Sequence, residues 1–76
     1  MLTKINKIII RSGVLNIVLF RDQDNDYIET VGARQRILIR IPKGFPITTI
    51  QAKLEALDEE TIFNAPKLYN VFNPGG

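Results

Sequence analysis

The clearest candidate for chemistry is a set of arginines that alternate along one apolar segment. Arg34, Arg36 and Arg40 lie in the run Arg-Gln-Arg-Ile-Leu-Ile-Arg-Ile. On a β-strand these side chains share one face with Leu38, and alternate residues stand about 7 Å apart. Guanidinium groups match the geometry of phosphates and carboxylates. The pattern therefore predicts a strip of positive charge that binds anions.

Aromatic side chains make nucleic acid a further candidate ligand. Tyr27, Phe45 and Tyr69 would supply flat surfaces on which the bases of a single strand stack. Three interpretations of the arginine strip stay open: a solvated face that pairs internally with carboxylates, a protein partner, and nucleic acid. We favour the first for the strip itself. The carboxylates within cross-strand reach are Asp22, Asp24, Asp26 and Glu29.

The acidic run after the second apolar segment has the spacing of metal ligands. Asp22, Asp24 and Asp26 match the first three ligand positions of an EF-hand calcium loop. Such a loop has glycine at its sixth position and glutamate at its twelfth, where this chain has Tyr27 and Ala33. A polar hairpin turn is therefore favoured over calcium. The chain has no histidine or cysteine, which excludes ordinary zinc sites and disulfides. We expect neither a metal nor another cofactor.

The sequence also lacks groups that would converge as a catalytic centre. Asp58, Glu59 and Glu60 are consecutive, so on a helix they fan outwards and do not face one another. Ser12 has no histidine to activate it. We therefore expect the chain not to be an enzyme.

Four short segments rich in β-branched side chains predict the strands that carry these residues. They lie within residues 4–41, and turn signals separate them at Ser12-Gly13, at the polar run 22–26 and at Gly32. Such short spacing predicts an antiparallel meander of three to four strands. The strands are expected at 5–11, 14–21, 27–31 and 34–41.

One helix is expected after the strands, at about residues 49–61. Thr48 and Gln51 fit a capping box at its beginning, and Asp58 is the place where we expect any break. Its apolar stripe consists of Ile50, Leu54 and Leu57. Pro66 is interpreted as the end of helical structure, so residues 65–76 are predicted to form an irregular C-terminal arm. The predicted fold is a single small α+β domain with a meander, one packed helix and this arm.

The second predicted strand, residues 14–21, is apolar on both of its faces. A helix packed on one side of a sheet covers only one face of such a strand. Either a small closed barrel buries the second face, or another copy or a larger protein covers it. We favour assembly. The contact candidates are Leu15, Ile17 and Leu19 on the strand, and Leu68 and Phe72 on the C-terminal arm.

The charge is distributed unevenly along the chain. The net charge is only +2, but residues 1–43 carry eight lysines and arginines against four acidic residues, whereas residues 44–76 are net acidic. An anionic partner is therefore expected to meet the N-terminal part. We identify no signal peptide and no apolar stretch near the roughly 20 residues that a membrane helix needs, so a cytoplasmic location without membrane contact is favoured.

These observations favour a non-catalytic interaction or structural subunit. In this hypothesis the chain assembles through apolar strand faces, as a homo-oligomer or on a larger protein partner. The alternative is a single-stranded nucleic-acid-binding protein that uses Arg34, Arg36, Arg40 and Tyr27.

Overall fold

Four antiparallel strands in one open sheet form the first half of the chain. The computed structural model describes residues 1–10 and 15–75. The strands are β1 (Thr3–Ile10), β2 (Leu15–Arg21), β3 (Asp26–Val31) and β4 (Arg36–Ile41), in the spatial order β1-β2-β3-β4. The predicted α+β class and the meander are confirmed. The predicted turn at Ser12-Gly13 lies outside the described residues.

The sheet has one face that is packed and one that is open. Period-two alternation is clear in β2 and β3, where every second side chain is buried. Isoleucine and leucine dominate the packed face. Its buried apolar members are Ile8, Ile10, Leu15, Ile17, Leu19, Ile28, Ile39 and Ile41.

Within residues 1–10 and 15–75, three helices cover the packed face. They are α1 (Ile47–Glu55), α2 (Glu59–Ile62) and α3 (Ala65–Phe72). Their buried side chains join those of the strands in one hydrophobic cluster, and the rings of Phe45 and Phe72 meet edge to face with centroids 5.4 Å apart. The helical contribution to the cluster consists of Ile50, Leu54, Ile62, Leu68 and Phe72.

The single predicted helix at about 49–61 is in fact two helices. Asp58 separates them, because its side chain accepts a hydrogen bond from the backbone N–H of Thr61 and so begins α2. The predicted capping box is wrong. Helix α1 begins at Ile47 after Pro46, with no side-chain cap bond, which places Thr48 inside the first turn. Proline pre-sets the extended backbone at this boundary and leaves Thr48 no capping role.

The predicted irregular C-terminal arm is also wrong, since residues 65–72 form α3. Asn64 caps this helix by accepting from the N–H of Lys67 at 3.1 Å. Pro66 lies in the first turn, where its missing N–H would have had no partner within the helix. We had interpreted this proline as a stop, whereas it helps the helix to begin. Leu68 and Phe72 are four residues apart and therefore share the packed side.

Two further contacts join the helices to the sheet. The hydroxyl of Thr30, which is fully buried on β3, donates to the carbonyl of Ile62 at 3.1 Å. At the end of β3, a Cβ on Gly32 would stand 2.7 Å from Cζ of Phe63. Only glycine therefore lets that ring pack so closely on the β3–β4 turn.

Candidate functional site

The apolar contact candidates chosen from the sequence lie in the core. Leu15, Ile17 and Leu19 are only 1%, 0% and 2% exposed, so in this structure a partner has no access to them. Leu68 and Phe72 are buried as well, at 0% and 2%. This corrects the choice of surface: the helices themselves cover the face of β2 that we had assigned to a partner.

The opposite side of the sheet is the candidate site, and we call it the open face. Cross-strand partners in the register share a face, so the register defines its membership. Its side chains are half-buried on the central strands and mostly exposed on β1 and β4. The open face consists of Lys4, Lys7, Ile9, Asn16, Val18, Phe20, Tyr27, Glu29, Val31, Arg36, Leu38 and Arg40.

One line across the open face places two aromatic rings between two cations. Lys4 pairs with Phe20, Phe20 with Tyr27, and Tyr27 with Arg40. Two rings on the central strands are therefore flanked by one cation on each edge strand. We call this line the aromatic row; its members are Lys4, Phe20, Tyr27 and Arg40.

A shift of register in β1 brings two lysines to the same face. A regular strand would direct Lys4 and Lys7 to opposite faces, because they are three residues apart. The register shifts between Lys4 and Asn6, so Lys4 pairs with Phe20 while Lys7 pairs with Val18. Both lysines therefore lie on the open face.

The predicted arginine strip is only partly formed. Strand β4 begins at Arg36, so Arg36 and Arg40 lie on the open face while Arg34 lies in the preceding turn. Arg36 Nε is 3.8 Å from Glu29 Oε2 across the strands. This is a loose pair with an exposed arginine, and it contributes little to stability. The predicted internal pairing therefore applies to one of the three arginines.

Arg34 borders a separate concavity at the end of the sheet. The guanidinium has no hydrogen bond or ion pair with any described residue. The cavity is half open and about 210 Å³ in volume. Its lining consists of Gly32, Ala33, Arg34, Gln35, Glu59 and Phe63.

Hydrogen bonds hold two members of the aromatic row in place. The Tyr27 hydroxyl donates to Asp22 Oδ2 at 2.7 Å. This bond raises the pKa of the Tyr27 phenol and lowers the pKa of the Asp22 carboxyl. Arg40 Nη2 donates to the Tyr69 hydroxyl at 3.3 Å, which raises the pKa of the guanidinium. Arg40 therefore stays charged and Tyr27 stays neutral at physiological pH.

The two layers of the molecule carry opposite charge. Among the described residues, the open face carries four cations and one carboxylate, Glu29. The segment that contains the helices, residues 44–76, holds two lysines and four acidic residues. The resulting field favours the approach of an anion to the open face.

Two of the three aspartates with calcium-loop spacing, Asp22 and Asp26, stabilise the hairpin between β2 and β3 through their side chains. Asp22 Oδ1 accepts from the backbone N–H groups of Asp24 and Asn25 at 2.9 and 2.7 Å, which is the polar turn that we predicted. Asp26 pairs with Arg21. Among the residues that the structure describes, no cluster of three or more acidic side chains is arranged to hold a metal ion.

Sequence reasoning missed Lys4, Lys7 and Phe20. Asn16 was the available signal for Phe20, because a polar side chain in an otherwise apolar strand marks the face that meets water, and Asn16 shares that face. The two lysines carried no such signal, since the shift of register in β1 has no marker in the sequence. Tyr69 joins the site only through Arg40, and Phe45 belongs to the core cluster.

Comparisons with known proteins give no relative. The chain matches no protein-family model, and neither the curated proteins nor the solved structures include a significant match. Within residues 1–10 and 15–75, no helix has the length and apolar character to cross a membrane.

Proposed function

We propose that this chain is a non-catalytic protein that binds single-stranded nucleic acid on the open face of its sheet. The observation that carries the proposal is the aromatic row. Phe20 and Tyr27 are cross-strand neighbours on the central strands, and they lie between Lys4 and Arg40 on the two edge strands. Aromatic rings accept stacked bases, and flanking cations neutralise the phosphates.

The shape of the surface favours a single strand over a duplex. The open face belongs to a sheet whose edge strands are β1 and β4, and the rings of Phe20 and Tyr27 lie on the interior strands β2 and β3. Bases must leave their pairing partners to stack on such rings. A duplex presents phosphates outward and would contact only the edge cations. We therefore expect preference for unpaired strands.

The charge of the open face disfavours stacking against a second copy. Face-to-face packing of two copies would bring eight cations and two carboxylates into one interface, since each face carries four cations and Glu29. Like charges brought together in this way cost energy unless an anion lies between them. An anionic ligand is the better match.

An acidic protein partner is the second candidate, and exposed apolar side chains favour it. Ile9 and Leu38 are 57% and 49% exposed, and half-buried Val18 and Val31 lie between them. This candidate keeps our assembly hypothesis but moves the contact from Leu15, Ile17 and Leu19 to the open face. An acidic surface with apolar side chains would be its complement.

Fluorescence anisotropy with labelled oligonucleotides tests the proposal. We expect an oligothymidine of about twenty nucleotides to bind more tightly than a duplex of the same length, with an affinity that falls between about 50 mM and about 200 mM salt. Four neutralised phosphates predict a log–log slope near −3, from about −0.7 per phosphate. Lys67→Gln, which removes a lysine paired with Glu60 in the helical layer, is the matched control and should not change binding.

Absence of oligonucleotide binding would leave the protein partner as the remaining candidate. If no oligonucleotide binds at low salt, the nucleic-acid proposal fails. Sedimentation then tests the assembly hypothesis, because a well-behaved monomer at micromolar concentration would count against self-association.

A further inference from the structure

Arg40 connects the open face with the last helix. Its guanidinium donates to the Tyr69 hydroxyl at 3.3 Å, and its backbone carbonyl accepts from Asn73 Nδ2 at 3.0 Å. Tyr69 is half-buried, so part of the residue meets solvent. The end of the aromatic row therefore lies next to a third aromatic ring.

We infer that the bound strand crosses the four β-strands along the aromatic row and then passes over the β4 edge onto Tyr69. This inference rests on the proposed function and assigns a path to the ligand. The path begins at Lys4, passes over Phe20 and Tyr27, and leaves the sheet at Arg40.

The residues that the structure describes form three lines across the open face, and the composition of these lines favours this path. The aromatic row has the order cation, ring, ring, cation. The second line has a carboxylate in its centre and ends on an apolar side chain; it consists of Lys7, Val18, Glu29 and Leu38. The third begins on an apolar side chain and has no aromatic ring; it consists of Ile9, Asn16, Val31 and Arg36. Only the first line offers stacking between two phosphate contacts.

The length of the aromatic row suits a short oligonucleotide. Three gaps between neighbouring strands separate Lys4 from Arg40, which is about 14 Å. A stacked strand rises about 3.4 Å per nucleotide, and a strand whose bases lie on protein rings is more extended, so at most about four nucleotides cover this distance. A tetranucleotide therefore fills the row, and an octanucleotide reaches Tyr69.

The β4 edge at Arg40 is closed to an added β-strand. The backbone carbonyl of Arg40 already accepts a hydrogen bond from Asn73 Nδ2. A peptide that extended the sheet at this position would have to displace this bond. The neighbour that remains beside the Arg40 side chain at this edge is Tyr69 of α3.

Charge-neutralising variants with oligothymidines of two lengths test the path. Lys4→Gln and Arg40→Gln remove cations on the row, whereas Lys7→Gln and Arg36→Gln remove cations of the same open face away from it. In nuclear magnetic resonance titrations with the tetranucleotide, we expect the two on-row variants to bind at least about five-fold more weakly and the off-row variants within about two-fold of the unchanged protein. With about twenty nucleotides, all four variants should weaken binding.

Two variants of Tyr69 separate its ring from its hydrogen bond. Tyr69→Phe keeps the ring and loses the bond to Arg40, so octanucleotide affinity should stay within about two-fold. Tyr69→Leu loses the ring, and it should weaken the octanucleotide while leaving the tetranucleotide unaffected. Circular dichroism of each variant checks that the fold is retained.

Ultraviolet cross-linking gives an independent readout of the same path. Trypsin separates Phe20, Tyr27 and Tyr69 into the peptides 12–21, 22–34 and 68–76. The tetranucleotide should cross-link to the first two peptides and the octanucleotide to all three. Equal losses in on-row and off-row variants, or no response to the tetranucleotide while the long oligonucleotide binds, would overturn the path and leave the proposed function standing. Absence of any oligonucleotide binding would overturn both.

Discussion

The guanidinium of Arg21 donates two hydrogen bonds to the carboxylate of Asp26 across the β2–β3 hairpin. Nε lies 2.6 Å from Oδ1, and Nη2 lies 3.0 Å from Oδ2. The Asp26 side chain is only 4% exposed, and it also accepts from the backbone N–H of Gly44 at 2.9 Å. Asp26 therefore connects the hairpin to the loop after β4. Because Asp26 directly precedes Tyr27 in β3, its contacts also hold the start of the strand that carries Tyr27.

We expect Asp26→Asn to destabilise the fold by about 1.5–3 kcal/mol, because it removes charge-assisted hydrogen bonds from a buried position. The neutral amide cannot accept from both guanidinium nitrogens and from Gly44 as the carboxylate does. Urea unfolding followed by circular dichroism measures the change in the free energy of unfolding.

Asp24→Asn in the same turn is the control. Asp24 is exposed, and no hydrogen bond involves its carboxylate within the described part of the chain, so the cost should stay within about 0.5 kcal/mol. Equal losses in the two variants would show that the Arg21–Asp26 pair adds nothing to stability.

The stability of the protein should fall in acid. The bond with Arg21 lowers the pKa of Asp26, the bond with the Tyr27 hydroxyl lowers the pKa of Asp22, and the side-chain hydrogen bond with Thr61 lowers the pKa of Asp58. Each carboxyl then binds its proton more readily in the unfolded chain, so these groups stabilise the fold above the ordinary aspartate pKa. That contribution is lost as the pH falls through the lower pKa values of the folded state.

Urea midpoints across pH measure this acid sensitivity. We expect a nearly constant midpoint above about pH 5 and a steep decline below about pH 4. Asp26→Asn should flatten the decline, since it removes one of the titrating groups. A midpoint that does not change down to about pH 2 would contradict the depressed pKa values.

The strands were predictable because their signals are local. β-Branched residues and the turn signals around them located β2 and β3 to within a few residues, and the polar run 22–26 located their turn. Strand β2 shows the limit of such signals. Leu15, Ile17 and Leu19 are as apolar as a partner surface would be, so composition alone did not decide which face the helices cover.

The helical half was harder to predict because the residues at a helix boundary can mark either the end of one helix or the beginning of the next. Pro66 can end one helix or begin the next, and the choice depends on whether Asn64 caps the chain that follows. The aromatic row was also beyond prediction as a whole. It requires the pairing of four strands, and a shift of register in β1 decides whether Lys4 belongs to it.

Gly32→Ala should destabilise the packing between the β3–β4 turn and α2. The added Cβ would lie 2.7 Å from Cζ and 3.3 Å from Cε2 of Phe63, so the ring must move. The positive-φ glycines described are Gly44 and Gly75, so the cost at Gly32 is steric. We expect a loss of about 1–3 kcal/mol in urea unfolding.

A double-mutant cycle with Phe63→Leu identifies the source of that loss. Leucine lacks the end of the ring that the new Cβ would meet, so the cost of Gly32→Ala should shrink by at least about 0.5 kcal/mol in the Phe63→Leu background. If the losses of Gly32→Ala and Phe63→Leu were additive, the contact between the new Cβ and the Phe63 ring would not be the source of the strain.

The aromatic rings should determine affinity for single-stranded nucleic acid. Stacking of a base on an exposed ring is strong enough that its removal weakens binding between about five-fold and about a hundred-fold. We therefore expect Phe20→Leu and Tyr27→Leu each to weaken the binding of an oligothymidine by a factor in this range. The slope of affinity against salt should stay unchanged, because neither variant removes a cation.

Tyr27→Phe is the matched variant that isolates the ring. The Tyr27 hydroxyl donates to Asp22, so its loss frees the carboxylate and leaves the stacking surface in place. Affinity should remain within about two-fold of the unchanged protein, as measured by anisotropy at one salt concentration. If Tyr27→Phe weakened binding as much as Tyr27→Leu, the hydroxyl and its bond to Asp22 would carry the effect. Stacking on Tyr27 would then be ruled out as the source of affinity.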